Sequence, residues 1–287
     1  MRTDLKIDPL VDLTIFDLQD KLLKSPTRMK RLMLPALPGT TRTIFAKFFI
    51  VAGFLVIAVV CAGSVYAQHR LSKRYPATNN VRIELKNISG TITVESWSRD
   101  EIKLTADLDS PKANVSPRQG KNELVVDVQS DNPGRADVGD INFYLQVPVG
   151  SSVDLQTKSG NIKVTNIRGE MVSAHVTLEG DITLAGISAS KVYAQNTIGD
   201  IFFDGEFAAG GTYRFQSGKG AISIRIPANS AFNLEASANN KQITIGPFWN
   251  SGFRSMGDGR KYVGDVIDGR SKVIVTNFQG SITFIRR

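Results

Sequence analysis

Histidine, cysteine and acidic side chains are the groups of this sequence that could carry out chemistry. The 287 residues include only two histidines, His69 and His175, and one cysteine, Cys61. These numbers are too small for a zinc finger, a His/Cys metal cluster or a disulfide framework. His175 stands in an alternating segment that points its side chain outward, and no nucleophile motif accompanies either histidine. We therefore expect no catalytic residue, no metal site and no cofactor, and we predict that the protein is not an enzyme.

Two aspartates form the one regularly placed carboxylate pair. Asp181 and Asp200 each follow a glycine, in Gly180-Asp181 and Gly199-Asp200. Two carboxylates held close together can cleave a polysaccharide, and Gly-Asp pairs also occur in calcium-binding repeats. The glycine and aspartate residues are too sparse for the calcium repeat, so the pattern favours structural turns. An enzyme that acts on polysaccharide stays open as a third alternative.

The charge pattern bears on the class of partner. The formal net charge is +8 and the pI is about 9.6. Basic and acidic residues nearly balance after residue 68, which is typical of a solvated mixed-charge surface. We therefore expect no nucleic-acid partner.

A membrane segment is the clearest signal near the N-terminus. Residues 43–67 contain one charge, Lys47, and as a helix they are long enough to cross the roughly 30 Å hydrocarbon core of a bilayer. A cleaved signal peptide is the alternative, because Val65-Tyr66-Ala67 resembles a peptidase site. We favour a retained anchor, because this segment is longer than an ordinary signal core and a long N-terminal region precedes it. The predicted membrane core includes Phe48, Leu55, Ile57 and Val60.

The rest of the chain is organised around this segment. We predict a cytoplasmic tail and basic linker over 1–42, a stalk over 68–80 and a β domain over 81–287. A late signal-like segment with basic flanks normally translocates the chain on its C-terminal side. The N-terminus is therefore expected in the cytoplasm and the β domain in the periplasm or outside the cell. Within the tail, residues 1–24 have the spacing of a short amphipathic helix, which could dock a cytosolic partner or stay partly ordered.

From residue 81 onward apolar residues alternate with polar ones, which indicates strands with one buried face. A motif of glycine, any residue, isoleucine, any residue and an apolar residue then recurs about every 20 residues. Outlying copies begin at Gly90 and Gly280. The central copies supply the predicted turn glycines and core residues, which are Gly160, Gly180, Gly199 and Gly220, with Ile162, Val164, Ile182, Leu184, Ile201, Phe203, Ile222 and Ile224. Ile243 and Ile245 continue the same register without a glycine.

A second short strand precedes each copy, so each repeat consists of two strands joined by a turn. One such unit cannot bury its own apolar row, whereas stacked units share a continuous core. We therefore predict an all-β fold, a single-stranded β-helix-like β-solenoid of about 20 residues per turn, preceded by one transmembrane helix. An antiparallel sandwich of regularly spaced hairpins is the alternative.

Residues 246–270 interrupt the repeat with many glycines and are predicted to form a long loop. Phe248, Trp249 and Phe253 within it either contact a ligand or hold the loop against the domain.

Three segments carry a resemblance to a known family. They are Asn87–Val94, Val147–Gly150 and the serial motif that begins at Ser159–Ile162. With them, residues 81–287 resemble the bacterial adhesin-like family of the domain DUF4097. The resemblance implies a repetitive β-strand domain, often tethered to a membrane, and supplies no catalytic residues.

The function predicted from these observations is that of a membrane-anchored, non-catalytic module for binding, adhesion or scaffolding outside the cytoplasm. Its expected partners are the membrane and a glycan or protein of the cell envelope. The alternative is an envelope-stress or signalling component that couples the external β domain to residues 1–24.

Overall fold

The structure is a computed structural model of the chain. It describes residues 69–110, 112–130, 138–240, 242–248 and 252–287, all within one compact unit, Tyr66–Arg287. The predicted tail and the predicted membrane helix with Phe48, Leu55, Ile57 and Val60 lie outside these residues, as does Trp249. Among the residues that are described, no helix is long and apolar enough to cross a membrane.

The all-β prediction is confirmed, because the described residues contain 21 strands, one 3-10 turn and no α-helix. The first ten strands are β1 (His69–Pro76), β2 (Arg82–Lys86), β3 (Ile92–Trp97), β4 (Glu101–Leu108), β5 (Ala113–Gln119), β6 (Glu123–Ser130), β7 (Ile141–Pro148), β8 (Ser152–Ser159), β9 (Ile162–Thr165) and β10 (Met171–Glu179). The next seven are β11 (Ile182–Ile187), β12 (Lys191–Ile198), β13 (Ile201–Gly205), β14 (Thr212–Lys219), β15 (Ile222–Ile226), β16 (Phe232–Ala238) and β17 (Ile243–Thr244). After the 3-10 turn Gly246–Phe248 come β18 (Arg254–Met256), β19 (Lys261–Val266), β20 (Lys272–Gln279) and β21 (Ile282–Arg286).

These strands form two large sheets. Sheet A has the order β1-β4-β7-β3-β9-β11-β13-β15-β21-β17, and sheet B has the order β18-β19-β16-β20-β14-β12-β10-β8-β2-β6-β5. Each repeat, here called a rung, contributes one strand to sheet B and the next to sheet A. The apolar rows of the two sheets meet in the interior, where the rings of Phe203 and Phe215 lie 5.1 Å apart.

The isoleucines of the repeat lie side by side in sheet A. Ile162 pairs with Ile182, Ile182 with Ile201, and Ile201 with Ile222, all in parallel register. Their side chains are at most 1% exposed. The antiparallel pairing of the alternative fold is not found between these strands, because like strands of successive rungs pair in parallel.

The order of the rungs in space differs from their order in the chain. We predicted that Ile243 would follow Ile222, but Ile222 pairs with Ile282, and Ile243 pairs on the far side of Ile282. The last rung, β20 and β21, is thus inserted between the rungs that precede it in sequence. The copy at Gly90 is also internal, since Ile92 lies between Phe143 and Ile162. Spacing along the chain identifies a rung but does not specify its neighbours.

Antiparallel strands close both ends of the stack. At one end β1 pairs with β4, β4 pairs with β7, and β5 pairs with β6. At the other end β19 pairs with β16 and β18. Residues predicted as a stalk (68–80) therefore include a paired strand, and the predicted loop 246–270 includes two strands. A sheet edge left open presents unpaired backbone groups, which explains why these segments pair instead of remaining irregular.

A matched pair of substitutions in β11 tests the orientation of the rungs. Ile182→Val should lower the free energy of unfolding by about 1 kcal/mol, because it leaves a small cavity in a fully buried row. Thr183→Val, on the outer face of the same strand, should change it by less than about 0.5 kcal/mol. Chemical denaturation of the full chain measures both. Equal losses would contradict the assignment of inward and outward faces.

Candidate functional site

The glycines of the repeat form one corner of every rung, between sheet B and sheet A. Gly160, Gly180, Gly199 and Gly220 all have a positive φ, as expected for the turn. A further reason for glycine is visible only in three dimensions. A Cβ atom placed on Gly160 would lie 2.1 Å from the carbonyl oxygen of Gly90, and one on Gly199 would lie 2.3 Å from that of Gly180. The backbones of successive rungs thus approach too closely for any side chain at this corner.

The carboxylates that could have been catalytic belong to the same corner. Asp181 Oδ1 accepts a hydrogen bond from the backbone N–H of Asp200 at 2.8 Å, and Asp200 Oδ1 accepts one from the N–H of Ala221 at 2.7 Å. Asn161 has the same role in the preceding rung, where it accepts from the N–H of Asp181 at 2.8 Å. Each side chain therefore joins its own turn to the next one. Among the described residues, no three His, Cys, Asp or Glu side chains lie close enough together to hold a metal ion.

Removing one of these acceptors should loosen the corner. We expect Asp200→Ala to lower the free energy of unfolding by about 1 kcal/mol, because the N–H of Ala221 then loses its partner. Asp200→Asn keeps an oxygen at the same position and should retain most of the stability. Thermal unfolding of the two variants and the parent chain checks this. An equal loss in both would show that the charge, rather than the hydrogen bond, stabilises the turn.

A column of buried polar side chains supports the corner from the end of the strands in sheet B, and we did not predict it. Asn196 Nδ2 donates to the carbonyl of Gly180 at 3.1 Å, and Asn277 Nδ2 donates to that of Gly220 at 2.8 Å. Both side chains are at most 3% exposed. The signal was present in the sequence as a polar residue at the last inward position of these strands. The polar members are Asn87, which directly follows β2, and Thr157, Asn196, Ser217 and Asn277, whereas Val176 occupies the position in β10 between Thr157 and Asn196.

Part of the outer face of sheet B carries side chains that do not hydrogen-bond to the backbone of a neighbouring turn. On four adjacent strands, β10, β12, β14 and β20, three outward positions per strand stand side by side in parallel register. None of these twelve positions carries a carboxylate, and we call them the acid-free face. They are Met171, Ser173, His175, Lys191, Tyr193, Gln195, Thr212, Arg214, Gln216, Lys272, Ile274 and Thr276.

The acid-free face combines cations with planar amides. His175, Gln195 and Gln216 follow one another in a single column, so the predicted outward direction of His175 is what the structure shows. None of these three side chains has a hydrogen-bond partner among the described residues. Arg214 likewise has no ion-pair partner there, and it lies beside Tyr193 in the neighbouring column.

Carboxylates border this face, and two of them are engaged by lysines. Glu170 accepts a hydrogen bond from Lys191 at 2.8 Å, which lowers the pKa of Glu170 and raises that of Lys191. Glu235 accepts one from Lys261 at 2.6 Å, and this bond, with a smaller contribution from Lys272, lowers the pKa of Glu235. Lys272 itself forms no salt bridge with a described carboxylate. The face therefore keeps an excess of positive charge.

The outer face of sheet A is different, because carboxylates stand among its cations and pair with several of them. Asp204 Oδ2 accepts a hydrogen bond from Arg225 at 2.7 Å, and Arg287 approaches its other oxygen at 3.6 Å. The guanidinium of Arg225 also lies 5.4 Å from the centre of the Phe202 ring, a cation–π distance. The neighbouring outward positions carry small residues such as Thr183 and Ser223. Lys103 and Lys163 also point outward on this face and form no salt bridge with a described carboxylate. The two faces therefore differ in the carboxylates that they carry, because the outward positions of sheet A include Glu95 and Asp204.

The aromatic residues predicted for a ligand loop have separate positions. Phe248 is 3% exposed, and its ring meets that of Phe232 edge-on at 5.5 Å, so it holds the segment against the core. Phe253 is partly buried against the same core. Trp249 lies outside the described residues. The two described aromatics thus attach the loop to the domain.

The fold defines the class of protein as a repetitive all-β domain built from stacked two-strand rungs. The sequence matches the family model described as Toastrack DUF4097 over residues 80–205 and again over 134–251. These matches together cover more than half of the chain, which therefore belongs to this family. The family resemblance carried by the repeat motifs is confirmed.

Similar solved structures share little sequence with the chain. A "putative cell adhesion protein" from Clostridium sporogenes ATCC 15579 is 10% identical, with a TM-score of 0.47, and the similarity covers 77% of this chain and 100% of that one. A "putative adhesin" from Bacteroides fragilis NCTC 9343 is 11% identical, with a TM-score of 0.28, covering 77% and 99%. A "putative lipid binding protein" from Parabacteroides distasonis ATCC 8503 is 9% identical, with a TM-score of 0.29, covering 76% and 97%. No curated protein is similar enough in sequence to count as a relative.

Proposed function

We propose that this protein is a membrane-anchored, non-catalytic binding module that presents a β-solenoid outside the cytoplasm. The membrane anchor is the predicted helix over 43–67, and the presented portion is the stack of rungs. A binding, adhesion or scaffold role suits such a stack, because side chains recur at a fixed spacing over a broad surface. Its partner in this proposal is a component of the cell envelope.

The acid-free face is the observation that carries the proposal. Its side chains are exposed or half-buried, are held in register by parallel strands, and include several polar groups without a partner in the described chain. In contrast, Asp181 and Asp200 accept hydrogen bonds from the backbone of the next turn. The two carboxylates that were considered for hydrolysis thus accept hydrogen bonds within the turns. The acid-free face, in contrast, presents side chains that can contact a ligand.

Membrane attachment and orientation are tested on intact cells that produce the full chain. We expect the protein to remain with the membrane after alkaline carbonate washing. Protease added outside the cytoplasmic membrane should cleave it, and N-terminal sequencing should find residues before 43. Release by carbonate, or a mature N-terminus close to residue 68, would contradict the anchor. Protection of the β domain from added protease would contradict the orientation.

Binding is tested with the detergent-solubilised full chain and isolated cell-envelope fractions. We expect the protein to be retained on the envelope polymer fraction and on no cytosolic fraction. Detergent micelles that carry an unrelated single-pass protein serve as the control. Equal retention of both proteins, or no retention of either, would contradict a binding role.

A further inference from the structure

The acid-free face differs from its surroundings in charge and in hydrogen-bonding capacity. We propose that it binds an acidic polysaccharide chain, which deepens the proposed function and rests on it. The face spans four strands, or about 14 Å across the sheet, and a similar distance along the strands. It is therefore wide enough to contact several sugar residues of an extended chain.

Charge complementarity indicates an anionic ligand. Arg214 has no ion-pair partner among the described residues. Lys272 lies on the strand next to that of Glu235, which is engaged by another lysine, and forms no salt bridge of its own there. A guanidinium binds a carboxylate through two parallel hydrogen bonds, so Arg214 can hold a uronate group in a fixed orientation. No carboxylate stands at any of the twelve positions, and the bordering carboxylate that interacts with Lys272, Glu235, is hydrogen-bonded to Lys261.

The neutral side chains indicate that the anion belongs to a sugar polymer. Gln195 and Gln216 present both donors and acceptors, which match hydroxyl groups, and His175 continues their column. Tyr193 lies beside Arg214 and offers a ring on which the apolar face of a pyranose can rest. A ligand that carried only closely spaced phosphates would leave these amides and this ring without partners.

The strand register also suggests the direction of the chain. Adjacent strands lie about 4.8 Å apart, so the amides of the column follow one another at that interval. A polymer that runs across the strands meets an equivalent polar group at every rung. A polymer that runs along one strand meets alternating residue types instead. We therefore place the sugar chain across the rungs, with Arg214 and Tyr193 at its side.

The test measures binding of the full chain in detergent micelles to polygalacturonate, alginate and hyaluronate. Carboxyl-reduced polygalacturonate is the neutral control, because it keeps the sugar chain and loses the charge. We expect at least one acidic polymer to bind, the reduced polymer to bind at least tenfold more weakly, and the affinity to fall as salt increases. Failure of all three acidic polymers, or equal binding of the reduced one, would overturn the proposal.

Substitutions locate the site. The double variant Arg214→Gln/Lys272→Gln should weaken binding to the acidic polymer at least tenfold. The matched double variant Lys103→Gln/Lys163→Gln removes the same charge from the outer face of sheet A and should leave binding within twofold. Tyr193→Ala should weaken it several-fold, as expected for the loss of a stacking ring. All of these side chains point outward, and unchanged thermal unfolding of each variant establishes that the fold is intact.

Two further results separate this proposal from the proposed function. Suppose that the parent protein binds envelope material and that the Arg214/Lys272 variant binds it equally well. The assignment of the binding site to the acid-free face is then wrong, while a binding role for the protein stands. If the protein binds no envelope material at all, both fail. Tighter binding to phosphatidylglycerol vesicles or to single-stranded DNA than to every acidic polysaccharide, with the same variant sensitivity, would assign the face to another class of polyanion and overturn the proposal.

Discussion

The substitution Gly160→Ala is expected to lower the free energy of unfolding by at least about 3 kcal/mol. Two causes add together. Gly160 has a φ of 108°, a conformation that costs a residue with a side chain about 1–2 kcal/mol. The new methyl group would also lie 2.1 Å from the carbonyl oxygen of Gly90, so the two rungs would have to move apart. Urea denaturation of the full chain measures the loss.

Gly210→Ala is the matched control for this substitution. Gly210 also has a positive φ, 74°, but no described atom lies within 4 Å of the place where its Cβ would stand. It should therefore cost about 1 kcal/mol, which is the backbone strain alone. An equal loss of stability in both variants would mean that the close approach of successive rungs adds nothing to the cost of the Gly160 substitution. The claim that a side chain at this corner clashes with the neighbouring rung would then be wrong.

A chain that ends at residue 270 is expected to lose cooperative unfolding of its C-terminal half. β20 lies between β14 and β16, and β21 lies between β15 and β17, so their removal leaves an empty rung inside the stack. The fully buried side chains of Phe215, Ile224 and Leu234 would lose their neighbours on one side. Circular dichroism during heating and limited proteolysis of residues 226–270 follow this change. An unchanged transition would indicate that the last rung only caps the end.

A pair of substitutions tests the inserted rung without shortening the chain. Val275→Asp places a charge at a fully buried position of β20 and should destabilise the protein by more than about 4 kcal/mol. Thr276→Asp adds the same charge on the outer face of the same strand and should cost less than about 1 kcal/mol. Comparable melting temperatures for the two variants would contradict the central position of β20.

Several features of the fold could be read from local patterns. Alternation of apolar and polar residues predicted the strands and the outward direction of His175, because side chains of a strand point to opposite faces in turn. The regular return of glycine and isoleucine predicted that Ile162, Ile182, Ile201 and Ile222 lie side by side. The period of apolar residues and the spacing of the repeats are properties of short segments, so both can be interpreted without knowing how the rest of the chain folds.

Other features required knowledge of which rung lies beside which. The sequence indicated that Asp181 and Asp200 belong to turns, but not that each accepts a hydrogen bond from the next turn. The pairing of Ile222 with Ile282 was missed because the spacing of repeats carries no information on insertion of a distant rung. The acid-free face was missed for the same reason, since its four strands include β20, which is far from the other three in sequence.

The amino-acid sequence by itself thus determined the strand pattern, the repeat, the turn glycines and the membership of the Toastrack family, all of which depend on residues close together in the chain. Only the tertiary structure decided the order of the rungs, the antiparallel strands at both ends and the composition of each outer face. These depend on contacts between segments far apart in the chain, where the free energy of burying a shared core and pairing exposed edges selects one arrangement among several that the local pattern allows.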